Sequence, residues 1–345
     1  MSLLVDIKKK LKGFTLNIYF ETKGEYLGVL GASGCGKSMT LKCIAGIETP
    51  DEGQIILNGK TLFHSSKNIN LKPQDRNIGF LFQNYALFPH MTVEENIGIG
   101  LSCPKNEKDQ RVSEMINSFH LQGLEKKYPN QLSGGQQQRA ALARSIIYKP
   151  DLLLLDEPFS ALDSHLKDQL QTEVLDLLKL YRGQVLMVTH NRDEAYRLCK
   201  NLVVIDKGMS VLFGDTKEIF RQPKIMSAAR LTGCKNISKC EILTPSKLKA
   251  LDWGICFEME DPLPEIIKYI GIRAHEFKLL DISQAENETN VIKCNVEKIV
   301  EDVFEYNIYL KNSILFKIKK EEWDNWMDKD NLYLKVPESS ILLLE

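Results

Sequence analysis

The sequence predicts a two-part chain: an α/β domain whose mostly parallel sheet is covered by helices, followed by a small all-β module. Three observations carry this. Over the first two-thirds, strand-length apolar runs alternate with amphipathic, helix-length segments, the pattern of strands joined by helical crossovers. From about Phe88 to Ile147 helical patterns continue without strand signals, which marks a helical insertion. Beyond about Lys224, short alternating runs separated by Asn, Gly, Asp and Pro take over, the spacing of a barrel or sandwich. The 345 residues suit about two domains.

In chain order, LLVDIKKKL and GFTLNIYFE alternate with period two and pair as an antiparallel hairpin. EYLGVLG is a buried strand, with a helix from Lys37 to about Gly46. DEGQIILNGK is a hairpin with turn residues at both ends. NIGFLFQ, DLLLLD, QVLMVTH and NLVVID are further core strands, and an amphipathic helix over about Ser164–Leu180 joins the second of these to the third. The insertion holds TVEENIGIGL, KDQRVSEMINSFH and QQQRAALARSII. In the tail, LDWGICFEM, YIGIRAHEF, VIKCNVEKIV, NIYLKN, ILFKIK and LYLKV are strands.

Composition narrows the function classes. A net charge of -1 argues against a large nucleic-acid surface, and the lysines at 8–10 and 12 are expected to lie on a solvated strand or turn face. Crossing a bilayer takes roughly 20 apolar residues, and neither LLLLD nor LMVTH approaches that. Asp6 comes too early for a signal peptide's apolar segment. The expectation is a cytosolic protein with any membrane role supplied by partners. The eight cysteines, at 35, 43, 103, 199, 234, 240, 256 and 294, have no CxxC spacing, so free and mostly buried thiols are expected rather than zinc ligands or disulfides.

GASGCGKS, Gly31–Ser38, fits G-x-x-x-x-G-K-[ST] at every fixed position, after a strand and at the start of a helix. Glycines let the backbone wrap phosphates, Lys37 brings a charge to the β and γ phosphates, and Ser38 offers its hydroxyl to magnesium. The helix N-terminus adds its dipole on the same side. DLLLLDEPFSALD supplies a second half: a strand buried on both faces ends at Asp156, placed to hold magnesium, and at Glu157, placed to orient and deprotonate the attacking water. On strand alternation Glu157 is expected to point to the opposite face from Asp156. His190 ends QVLMVTH at the same sheet edge, where it can contact the γ phosphate. Gln83 ends IGFLFQ there too; its amide either senses magnesium and the attacking water or caps the strand.

LSGGQ, Leu132–Gln136, has the small residues of a ligand loop but no acid, base, nucleophile or metal ligand. Ser133 suits the N-cap of the helix that follows, whose dipole and free amides would face a phosphate, and Gly134 and Gly135 permit close approach. The chain thus offers two phosphate-binding helix starts and one magnesium and base site, which a two-fold dimer reconciles if each loop completes its partner's site.

Together the phosphate loop, Gln83, LSGGQ, LLLLDEP, SALD (Ser160–Asp163) and His190 resemble, in order, the ATP-binding cassette (ABC) transporter ATPases. The resemblance covers roughly residues 1–235 and implies a P-loop cassette: a mixed sheet with a helical subdomain at about 88–147, in a domain over 1–230. It implies ATP and magnesium. ATP would contact Gly31, Ser33, Gly34, Cys35, Gly36, Lys37, Ser38 and Met39, and Ser133, Gly134, Gly135 and Gln136 of a second subunit, with Asp163 at the dimer interface. Magnesium would meet Ser38, Gln83 and Asp156. Lys37, Gln83, Glu157 and His190 would carry catalysis. The family stacks adenine on an aromatic near the N-terminus; Phe14 is the candidate, Tyr19 second, and a core phenylalanine is the alternative for Phe14.

QNYALFPHMTVEENI is similar to the segment where importer cassettes receive the membrane subunit, so Tyr85–His90 is the expected permease contact. The implied assembly is a homodimer on the cytoplasmic face of the membrane, with two permease subunits and, indirectly, a substrate-binding protein. LTGCKNIS, LDWGI and YIGIRAHEF resemble the tails of molybdate and sulfate importer ATPases (ModC/CysA type), implying an OB-like, TOBE/MOP-like barrel over 231–345. The implied cargo is molybdate or tungstate first, then sulfate, then ferric iron, sugar or polyamine. In some such importers the barrel binds the oxyanion and regulates; Ser238, Lys239, Arg273 and His275 are the candidates here, with surface solvation as the alternative. A DNA-repair ABC ATPase is disfavoured by the lack of a heptad run or a basic stripe, and a ribosome-associated factor by the single cassette.

Overall fold

The computed structural model describes residues 2–24, 26–160, 164–179, 181, 183–326 and 332–345. Asp163, expected at a dimer interface, lies outside them. The chain divides into two compact units, Met1–Lys217 and Glu218–Glu345, ahead of the 230/231 boundary expected from the sequence.

In the first unit, β1 (Leu3–Lys10) and β2 (Thr15–Thr22) form an antiparallel hairpin with Ile7 opposite Ile18. β3 (Tyr26–Gly31) runs into the phosphate loop and α1 (Lys37–Ala45). β4 (Glu52–Leu57) and β5 (Lys60–His64) join through Asn58 and Gly59, at φ 49° and 79°, the left-handed pair whose twist matches a two-residue hairpin. β6 (Ile69–Asn70) and β7 (Ile78–Leu81) follow. Then come α2 (Val93–Gly98), α3 (Lys105–Ser118) and α4 (Gly134–Ile146), the helical insertion. β8 (Leu152–Asp156), α5 (Ser164–Lys179), β9 (Gln184–Thr189), α6 (Arg192–Leu198), β10 (Asn201–Asp206) and β11 (Met209–Asp215) complete the unit.

These strands form one mixed sheet in the order β6-β5-β4-β1-β2-β11-β10-β3-β9-β8-β7. From β10 to β7 every pairing is parallel. The leucine run of β8 shows why such strands lose alternation. Leu153 and Leu155 join the core beneath α4 and α5, while Leu152 and Leu154 join the core beneath α1 on the opposite face. A strand with helices on both faces must be apolar on both.

The second unit begins near α7 (Thr216–Arg221) and contains α8 (Met226–Leu231). Ala229 of that helix packs with Cys234, Leu342 and Leu344, so α8 packs with residues of the second unit. β12 (Asn236–Thr244), β13 (Lys247–Ala250), β14 (Ile255–Glu258), β15 (Tyr269–Ile272), β16 (Lys278–Leu280), β17 (Val291–Cys294), β18 (Val296–Glu301), β19 (Glu305–Leu310), β20 (Leu315–Lys319), β21 (Leu332–Lys335) and β22 (Ile341–Leu344) follow. The all-β expectation holds at the level of sheets. The described strands group into three antiparallel sheets, β14-β13-β12-β15-β22, β16-β21-β17 and β18-β19-β20, around a shared core that includes Trp253, Phe257, Phe316 and Trp323. The expected strand VIKCNVEKIV is two strands, and Asn295 is the break between them.

Among the described cysteines all are free, and Cys35, Cys43, Cys199 and Cys234 are buried, whereas Cys256 is exposed. Among the described residues no helix is long and apolar enough to cross a membrane.

Candidate functional site

Parallel pairing sets the site. Leu81 of β7 sits opposite Leu155 of β8, Asp156 opposite Val188 of β9, and Leu30 of β3 opposite Thr189. The residues that follow these strand ends therefore leave the sheet along one edge, the carboxyl edge where open α/β sheets bind ligands. They are Gln83, Glu157, His190 and the loop from Ala32 to Gly36.

Gly34 and Gly36 take φ of 80° and 107°, accessible to glycine at no steric cost. A Cβ on Gly36 would also stand 2.5 Å from Leu16 Cδ1 and 3.5 Å from the Phe14 ring, so the loop is seated directly on β2 and the residue before it. Ser33 and Gly34 are exposed, while Cys35 is turned into the core and burial raises its thiol above the usual range. Met39 packs on the same core. Cys35 and Met39 thus have backbone rather than side chain to offer a phosphate.

Lys37 is buried, its ammonium donating to the carbonyls of Gly31 and Ala32 at 2.9 Å each. Ser38 Oγ donates to Asp156 Oδ1 at 2.8 Å. Burial raises the Asp156 carboxyl above the usual carboxylate range, against the Ser38 hydrogen bond, which lowers it.

Glu157 is the meeting point. Its carboxylate lies 3.0 Å from His190 Nδ1 and 4.0 Å from Lys37 Nζ, and it accepts from Gln83 Nε2 at 3.4 Å. The alternation expected from the sequence stops one residue short of it. β8 ends at Asp156, and Glu157 turns off with φ 46°, a left-handed backbone uncommon for a side-chain-bearing residue. Its N–H donates to Val188 O, and its carbonyl accepts from both the N–H and the hydroxyl of Ser160. That turn, and not strand pleating, aims the carboxylate at Lys37, His190 and Gln83. Gln83 spends its amide on Glu157 rather than on capping β7.

Ser133 is the N-cap of α4 as expected. Its hydroxyl accepts from Gln136 N–H at 3.3 Å, and Gln136 Oε1 accepts from Ser133 N–H at 2.9 Å, a capping box. Ser133 and Gly134 are exposed. The Gln136 side chain is already used in the box, which leaves the hydroxyl, the glycines and the backbone for a ligand.

Two expectations change. Tyr85 is buried, at φ 60°, and contributes to the core rather than to a groove rim; of the Tyr85–His90 segment, Phe88 is the large apolar side chain in the open, and Arg144 stacks on it at 5.6 Å. The four tail residues do not assemble into an anion site. Arg273 donates to the carbonyls of Thr232 and Phe220, Ser238 Oγ bonds Lys239 O and Asp252 N–H, Lys239 is exposed, and His275 pairs loosely with Glu276 at 3.5 Å.

Sequence reasoning missed Arg76, Gln138 and Arg144. Arg76 is fully buried under α1, where its guanidinium donates to the carbonyls of Cys43, Ile44 and Leu71 and to Asn70 Oδ1. No motif flags it. Gln138 and Arg144 lie on the well-marked helix α4, but their partners are backbone carbonyls distant in sequence.

The ABC transporter family profile matches residues 11–160. The putrescine transport ATP-binding protein PotG of Escherichia coli is 45% identical over 226 residues, 65% of this chain and 58% of that protein. The spermidine/putrescine import ATP-binding protein PotA of Oleidesulfovibrio alaskensis is 36% identical over 289 residues, 80% of this chain and 75% of that protein. The chain belongs to the ABC transporter ATPases. Within them it falls among import-type ATP-binding subunits. Other relatives are named for import of iron(III) ions and of sulfate or thiosulfate. Among solved structures, the dimeric post-hydrolysis state of the ATP-binding cassette MJ0796 bound to ADP and Pi aligns with a TM-score of 0.53 and 27% identity, over 63% of this chain and 99% of that one. This ABC ATPase thus shares a cassette fold with that structure over 63% of its length.

Proposed function

We propose that this ABC ATPase hydrolyses ATP at sites shared by two copies of itself and so powers an importer whose membrane-spanning subunits and cargo receptor are separate chains. The observation that carries the reading is the convergence of Lys37, Gln83 and His190 on Glu157, beside the Ser38–Asp156 pair. ATP enters with its phosphates in the Gly31–Ser38 loop and on the N-terminus of α1, where Lys37 exchanges carbonyl partners for phosphate oxygens. Phe14, whose ring borders Gly36, offers the adenine its stacking face; Tyr19, 59% exposed on β2, is second.

The fit to magnesium rests on hard oxygen donors of the right kind. Ser38 Oγ and a desolvated Asp156 carboxylate stand 2.8 Å apart, with the Gln83 amide nearby, and such ions are commonly held by one or two protein ligands plus substrate phosphates. Bound there, the ion would offset charge on the phosphates. Glu157 takes the proton of the attacking water as the new P–O bond forms and the bond to ADP breaks. His190 holds the Glu157 carboxylate and reaches for the γ phosphate, and Gln83 orients the water.

Ser133, Gly134 and Gly135, with the backbone of Gln136, complete the site of the second copy. ATP then favours the closed pair by its higher affinity for that state, and hydrolysis lets it reopen; Asp163 belongs at that interface on the resemblance alone. The permease contact is read at Leu87–His90, next to a cavity of about 910 Å³ lined by His90, Met91, Glu95, Ile99, Val112 and Ile116. That coupling holds the protein peripherally at the cytoplasmic face.

The relatives reported above favour polyamines as cargo over the molybdate-first order read from the tail, and the PotA match, at 289 residues, runs past the cassette into the second unit. Arg273, one of the four oxyanion candidates, is engaged with carbonyls of its own unit. The test is ATPase activity of the chain reconstituted with its permease and receptor, supplied in turn with putrescine, spermidine, sulfate, iron(III) and molybdate. Stimulation by a polyamine supports the order proposed; stimulation by molybdate alone restores the first one.

A further inference from the structure

Helix α4 does more than present Ser133. From its body, Gln138 Nε2 donates at 3.0 Å to the carbonyl of Pro158, the residue after Glu157. Six residues along, Arg144 donates to Ala86 O at 2.8 Å and Tyr85 O at 2.9 Å, in the turn after Gln83. Glu157, Tyr85 and Ala86 all have left-handed backbone, φ 46°, 60° and 45°. Such residues are strained and persist where the surroundings over-determine them. Here the same helix braces both turns.

Gln138 is wholly buried, and its Oε1 has no hydrogen-bond partner. A half-satisfied buried amide is a poor core residue, since an apolar side chain of the same shape would avoid the desolvation cost of the orphaned oxygen. Its tie to Pro158 is the one polar interaction the amide makes.

We propose that Gln138 is a positioning residue: its amide locks the Pro158 carbonyl, and with it the left-handed turn that aims the Glu157 carboxylate at the attacking water. The helix whose N-terminus faces the partner's nucleotide is thereby fastened to the base that acts on its own. This rests on the reading of Glu157 as base.

The test uses the full chain and three variants, with ATP turnover, ATP binding and thermal unfolding measured for each. E157Q reports on the underlying reading: if it turns over ATP like wild type, that reading fails whatever Gln138 does. With E157Q inactive, Q138M, which keeps length and removes the donor, should fold and bind ATP within about twofold of wild type while kcat falls about tenfold to a hundredfold, the scale of a misplaced reacting group. Unchanged kcat in folded Q138M, or losses in binding and turnover of equal size, overturns the proposal. Should Q138M fail to fold, Q138E decides. A carboxyl at this buried position is held protonated up to a raised pKa and in that form donates to Pro158 O; once ionised it repels that carbonyl. The ratio of Q138E to wild-type kcat should therefore fall as pH rises from about 6 to about 9, and a flat ratio refutes the role.

Discussion

His190 Nδ1 stands 3.0 Å from Glu157 Oε2, joining the ends of two neighbouring parallel strands through side chains that come 33 positions apart in the sequence numbering. The contact engages the carboxylate oxygen that does not face Lys37 and leaves the function of Glu157 open to a direct test.

Replacing Glu157 with Gln keeps the shape and a hydrogen-bonding oxygen but removes the base. Phosphate release should drop at least about a hundredfold, within the range for loss of general-base assistance, while nucleotide titration shows retained affinity and size-exclusion in ATP shows an accumulated dimer. Near wild-type turnover would sink the base assignment.

Asp156 illustrates a site that costs stability. Its carboxyl is raised from the ordinary 3.8 chiefly by burial, so the folded chain binds that proton more tightly than the unfolded one. The stabilisation this confers is present below the unfolded value and lost as pH rises through the folded one. Above the folded value the group is a buried charge opposed by desolvation. Asp156→Asn, which still accepts from Ser38, should therefore melt higher than wild type at about pH 7, with the gap shrinking on acidification, and should lose magnesium-dependent turnover. A lower melting temperature at neutral pH contradicts the sign worked out here.

Arg76 predicts a purely structural loss. Arg76→Met strands the carbonyls of Ile44 and Leu71 and leaves that of Cys43 with the Gly46 N–H alone; two of the three lie at the C-terminal turn of α1, where positive charge also favours the helix dipole. Several unsatisfied buried groups put the cost at about 3 kcal/mol or more, measurable by denaturant unfolding. Gly46→Ala should fail for the same reason, since its Cβ would sit 2.5 Å from Arg76 Nε at φ 79°.

Ser133→Ala removes the N-cap of α4, worth about 1 kcal/mol, so the chain should remain folded and still bind ATP at Gly31–Ser38. On the proposed shared site hydrolysis should nonetheless collapse, because there the hydroxyl is offered to the other copy's nucleotide. Full activity in Ser133→Ala would remove the hydroxyl from the composite site.

Much of the cassette was legible because its strands and helix starts are local. The phosphate loop, the four-leucine strand and the Ser133 cap each rest on residues within one turn or one strand of each other, and all stand where the pattern put them. Glu157's orientation was not legible, since alternation has no means of announcing a left-handed turn one residue beyond a strand. Tyr85 read as part of an apolar groove rim because the segment around it resembles the one where importer cassettes meet the membrane subunit; packing in the core shared with α2 and α4 buried it. In the tail, short strands were visible, but their grouping into three sheets depends on long-range pairing that alternation leaves open.

The sequence by itself determined where the glycine-rich loop, the acidic strand end and the capped start of α4 lie, and that one chain carries two helix starts suited to phosphate beside one acidic strand end. Backbone periodicity and side-chain chemistry are local properties, so they are written in local order. Only the tertiary structure decided that Gln83, Glu157 and His190 meet, that Gln138 and Arg144 brace their turns, and that Arg273 is spent on carbonyls. Those contacts depend on strand register and on which buried polar group finds a partner, and both are settled only when distant segments pack together.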